Sequence, residues 1–146
     1  MRILKNRILT IKSLFIILVV LAALVIFLMF SGDKGILAEI SIFVPWVMLS
    51  LAGLGLVLMV VRAGLTGKVK GFLLTCGCAA VGFLAGVLLH NLFYALGSMT
   101  ASAFLGGLLG FLEGIFFILA VLLCPLGLLV GIVGTLILWR DIPAAQ

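Results

Sequence analysis

His90 and Glu113 are the residues best suited to proton chemistry inside the long apolar runs of this chain, and Asn91 and Tyr94 stand beside the first of them. An imidazole can donate to a carboxylate, and the two can hold one proton between them. Asn91 and Tyr94 add donors and acceptors to the same stretch. A carboxylate within a bilayer is costly, so it is expected to face the protein interior and find a partner. Three roles fit such a cluster. It can be a buried polar latch that fixes how two helices register. It can be a proton- or cation-coupled site whose protonation follows a substrate. It can also be a contact to a cofactor or lipid headgroup within a larger assembly.

Other chemistries fit the residues less well. Imidazole and carboxylate both bind metals, but one His and scattered cysteines make a poor ligand set, so no metal site is assigned. A bis-His haem cannot form within one chain, because the sequence holds a single His. Cys76, Cys78 and Cys124 are odd in number and lie inside apolar runs, which argues against a disulfide framework. Cys76-x-Cys78 has the wrong spacing for a redox CxxC pair, and all three read as small hydrophobes. No P-loop, G-x-S-x-G or H-E-x-x-H motif occurs. The sequence requires no cofactor and points to a non-enzymatic protein.

The elements that must position the cluster follow from composition. Of 146 residues 66% are apolar and 9% charged, against about a quarter charged in soluble domains. A chain so poor in polar groups cannot cover its surface in water. The expected fold is an all-α integral membrane protein, a single transmembrane domain over 1–146. A hydrocarbon core about 30 Å thick needs about 20 apolar residues of helix. Four runs meet that length, giving helices at roughly 11–30, 40–61, 72–96 and 104–139. The first has a basic start like a signal peptide, but its apolar stretch is too long and no A-x-A-like site follows Phe30, so it reads as an uncleaved helix. In the second, Pro45 falls in the opening turns, where a missing N–H costs little, and Trp46 falls at interface depth.

The last run is over-long. Thirty-six residues of helix span roughly 54 Å at about 1.5 Å each. It is expected to be one long helix kinked at Pro125, or a span preceded by a re-entrant segment, Phe104 to Leu112. Two short spans broken at Cys124-Pro125 fit less well, since no polar turn separates them.

Charge sets the orientation. With four helices and the N-terminus inside, the inner segments hold eight Lys or Arg: Arg2, Lys5, Arg7, Lys12, Arg62, Lys68, Lys70 and Arg140. The outer segments hold only Lys34, beside Asp33 and Glu39. This positive-inside bias places both termini in the cytoplasm. The short basic bursts serve topology rather than a nucleic-acid surface.

Glycine spacing predicts which helices pack. Gly82 and Gly86 form a GxxxG in the third helix; in the fourth, Gly106, Gly110 and Gly114 form one small-residue series and Gly127 and Gly131 another. Small residues let membrane helices approach closely. Helices three and four thus read as a tight antiparallel hairpin, and the first helix, without glycine, as a lipid-facing outer member. Counting outward from the loop near residue 100 puts His90 and Glu113 within about a turn of equal depth, in the outer half of the bilayer.

In size, helix number and a single intramembrane Glu, the chain resembles the small multidrug transporters. That family's Glu lies in its first helix, whereas Glu113 lies in the last, and the likeness is one of architecture without a shared motif. It implies, as the alternative, a small proton- or cation-coupled transporter or channel using Glu113 and His90. The favoured expectation is a small membrane subunit or accessory component. Its partners would be the lipid bilayer together with a second copy or other membrane subunits, because Phe104 to Leu112 is an apolar extension in need of cover.

Overall fold

The computed structural model describes residues 2–30 and 36–142, with backbone alone at 2–5, 36–42 and 141. Among these residues every regular element is helical. The elements are α1 (Arg2–Phe30), α2 (Ile36–Arg62), α3 (Gly67–Met99), α4 (Ala103–Ile118), a π-turn (Leu119–Leu123), α5 (Cys124–Ile137) and a closing 3-10 turn (Trp139–Asp141). Four helical stretches are long and apolar enough to cross a membrane, the last running unbroken from Ala103 to Ile137. Phe104 to Leu112 therefore forms the first turns of that stretch and does not turn back on itself.

The helices outrun the apolar runs at their ends. Nothing between Arg2 and Leu14 breaks a helix, so the basic residues of the N-terminus lie on the first turns of α1 instead of preceding it. The second helix likewise takes in Glu39. Asp33 and Lys34 lie outside the described residues.

The turns are built from local chemistry. Between α2 and α3, Gly64 (φ 66°) and Gly67 (φ 77°) take left-handed conformations that a Cβ disfavours. Between α3 and α4, Ser102 caps α4 by accepting from the Leu105 N–H at 3.4 Å. The Thr100 N–H meanwhile donates to Gly97 O. Near the middle of the last stretch, the Cys124 N–H reaches back five residues to Leu119 O, and Pro125 follows without an N–H of its own. A widened turn just before proline gives its ring room where a regular helix would clash.

Packing runs in sequence order, α1 on α2, α2 on α3, and α4 with α5 on the other side of α3. The third helix is thus the centre of the bundle. It meets α2 where Gly53 faces Gly77. A Cβ at Gly77 would come 2.7 Å from Val57 Cγ2 and 2.8 Å from Gly53 O. One turn away, Ser50 Oγ donates to Ala80 O at 2.9 Å, a buried hydrogen bond between the same two helices. Trp46 packs edge-on against Phe83. Its indole Nε1 is buried with no hydrogen-bond partner among the described residues, as is Thr135 Oγ1.

The first helix is an outer member, yet it carries more of the core than a lipid-facing role implies. Ile8, Ile11, Phe15, Leu18, Ala22 and Val25 are all buried. Their alternating spacing of three and four makes a continuous seam along one face. The opposite face, with Val20, Phe27 and Phe30, is exposed.

The cations gather at one end. Arg7 Nη1 donates to Arg62 O at 2.8 Å, tying the start of α1 to the end of α2. Lys68 and Lys70 open α3 beside them. The chain's C-terminal turn returns to this end, where the Trp139 ring packs 5.7 Å from Phe15 and Ile142 is buried.

Candidate functional site

The α3–α4 hairpin brings His90 and Glu113 together. A tight loop fixes the register: Gly97 lies against Leu109, and about three turns lower Gly86 lies against Ala120 and Phe116 O. Between those contacts, His90 Nδ1 stands 3.3 Å from the backbone oxygen of Glu113 and 3.8 Å from its Oε1. A carbonyl oxygen only accepts, so the shorter contact is a hydrogen bond when Nδ1 carries the proton. The other ring nitrogen is then left to accept, or to donate if the ring is charged. The imidazole rests 5.3 Å from the Phe117 ring, which limits its swing. Neither side chain is sealed off: 27% of His90 and 29% of Glu113 remain exposed.

Asn91 and Tyr94 do not join the pair. The Asn91 amide donates back along its own helix to Val87 O at 2.8 Å. Tyr94 is 62% exposed. The candidate cluster is in geometry a two-residue pair on the α3–α4 contact, and its polar neighbours on α3 point elsewhere.

The glycines divide between two surroundings. Gly82 faces Cys124 Sγ, Gly86 faces the π-turn, Gly127 faces Ala79, and Gly131 lies against the Cys76 backbone, where an added Cβ would come within 2.6 Å. These four hold α3 close to the last long apolar stretch. Gly106 touches only Thr100 Cγ2, while Gly110 and Gly114 look onto open space. Gly107, beside that series, is open as well.

Two contacts important to the site's frame escape a motif search. The α2–α3 approach at Gly53 and Gly77 is one, and the Ser50 hydroxyl bridge is the other. Gly53 and Ser50 look like mild interruptions of an apolar run, and only their spacing of three hints at a shared face.

Away from the pair the interior is largely hydrocarbon, with the Ser50 and Thr135 hydroxyls and the Trp46 indole N–H as polar groups within it. A cavity of about 340 Å³ lies between α1 and α5, floored by α2 and α3 through Leu49, Ala80 and Phe83. Cys76 and Cys124 are buried and Cys78 is exposed; all three are free thiols. No group of three or more His, Cys, Asp or Glu able to hold a metal occurs among the described residues. No protein-family model matches the chain, and neither a curated protein nor a solved structure does.

Proposed function

We propose that the chain is a multi-pass membrane protein, with both termini cytoplasmic, that acts as a non-enzymatic subunit or accessory component of a membrane assembly. One observation carries this reading: α4 buries none of its sixteen residues. It rests on α3 along one side only, and the rest of its surface is apolar with no cover from the other described residues. By the helix register, the start of α2 lies level with roughly residue 94 of α3, so the hairpin tip stands beyond α1 and α2 by about 8 Å. That tip carries Met99 (83% exposed) and Phe104 (80% exposed). An apolar extension of this kind is stable only inside lipid or against a partner. The open glycines of α4 let a second helix approach closely. The partner is a second copy or another membrane subunit, and nucleic acid has no place in this account.

The test is local. A photo-crosslinking residue at Gly110, where a side chain meets open space, is expected to capture a protein partner in native membranes. The same residue at Leu24, on the exposed face of α1, is expected to capture lipid. Lipid adducts alone at both positions would overturn the proposal.

The His90–Glu113 contact favours a second reading, a small proton- or cation-coupled transporter. A pair able to share one proton at the outer end of a bundle is the minimum such a mechanism needs. On this reading Glu113→Gln abolishes pH-driven flux in liposomes while the protein stays folded.

A further inference from the structure

The basic end of the bundle holds a second crevice, distinct from the His90–Glu113 pair. It lies between α1 and the C-terminal turns, has a volume of about 480 Å³, and is lined by Phe15, Val19, Val20, Leu136, Trp139 and Arg140 among others. Its walls are hydrocarbon, and its mouth is cationic. Arg140 is exposed there. Lys12 Nζ sits 5.5 Å from the centroid of the Trp139 ring that lines the same crevice. Among the residues whose side chains are described, neither cation forms an ion pair with a carboxylate. Asp141 follows Arg140 in the sequence, but Arg7, Arg62, Lys68 and Lys70 stand at the same end of the bundle, so positive charge prevails.

We infer that this crevice is a binding site for an acidic phospholipid, its phosphate held by Lys12 and Arg140 and one acyl chain laid between α1 and α5. Two features select that occupant. The first is charge complementarity, because two cations at the rim of an apolar groove match an anionic headgroup above a hydrocarbon tail. The second is length. Further along the same two helices comes the 340 Å³ cavity, whose walls include Ala22 and Ile26 on α1 and Leu129 and Val133 on α5. From Phe15 to Ile26 the two hollows together span roughly 16 Å along α1 at about 1.5 Å per residue, close to the ~15 Å depth of one leaflet of hydrocarbon. A tail anchored at the basic end thus has an apolar hollow beside it at both ends of that span.

The experiment titrates the full chain in mild detergent with phosphatidylglycerol or phosphatidylcholine and counts retained lipid by native mass spectrometry. The account expects one phosphatidylglycerol per chain held in preference to phosphatidylcholine. Lys12→Gln with Arg140→Gln should weaken it roughly 30-fold, the loss expected for two cations near a membrane surface. Lys68→Gln with Lys70→Gln removes the same charge away from the crevice and should leave retention within about 2-fold. Val20→Trp fills the groove with both cations kept and should also abolish retention. Equal retention of both lipids, or equal loss in the two charge pairs, overturns the inference, because the charges then only orient the chain. Unchanged retention in Val20→Trp overturns it too, because the tail is then not in the crevice.

Discussion

His90 Nδ1, when it carries the proton, donates to the backbone oxygen of Glu113 at 3.3 Å, and it stands 3.8 Å from a carboxylate oxygen of the same residue. Any substitution at Glu113 keeps the backbone acceptor. Glu113→Gln is therefore expected to lower stability by only about 0.6 kcal/mol, the average for a hydrogen bond between membrane helices. His90→Leu removes both contacts and leaves the carboxylate without its partner, so its cost should approach the ~1.7 kcal/mol upper end of such measurements. Thermal unfolding in detergent decides the order; a larger loss for Glu113→Gln than for His90→Leu would contradict this geometry. The approach of His90 to Glu113 was legible in the sequence, because residues equidistant from a tight antiparallel loop must share a depth. The outward turn of Tyr94, four residues after His90, was not legible in the sequence. Each step of four residues drifts roughly 40° around a helix of 3.6 residues per turn, and that drift carries the phenol past the contact. Asn91, one residue on, is about 100° away and finds its own helix carbonyl instead.

At the scale of elements, the close approaches rank the glycines by what surrounds them. Gly77 has no room: its Cβ would meet Val57 at 2.7 Å and the backbone oxygen of Gly53 at 2.8 Å, and backbone cannot yield as a flexible side chain can. Gly77→Ala should cost about 1–3 kcal/mol through overpacking. Gly110→Ala meets open space within the chain and should leave the isolated protein as stable or more so, since Ala favours helix by about 1 kcal/mol. Denaturation of the two variants in the same detergent checks the contrast, and equal losses would contradict it. The four apolar stretches were legible because each needs only length and composition. The seam on α1 was hidden for a physical reason. Lipid and protein core both select hydrocarbon, so Phe15 on the buried face and Phe27 on the exposed face look alike in sequence. The π-turn was foreshadowed only by Pro125, which announces an irregularity without choosing its form.

The whole molecule is lopsided. Its third helix is covered on both sides, and its outermost helix contributes a full core seam. Yet α4 buries no residue and leaves Gly107, Gly110 and Gly114 open. Among the described residues, cations occupy one end of the bundle, and an apolar hairpin tip occupies the other. A tip that the described helices leave uncovered needs lipid or a partner around it, and the assembly proposed above supplies the partner. The measurement that tests this most directly is the mass of the particle extracted gently from native membranes. The account predicts a particle of defined stoichiometry, heavier than the 15.4 kDa chain after detergent and lipid are subtracted, containing a second copy or another membrane protein. A homogeneous particle of a single chain would contradict it.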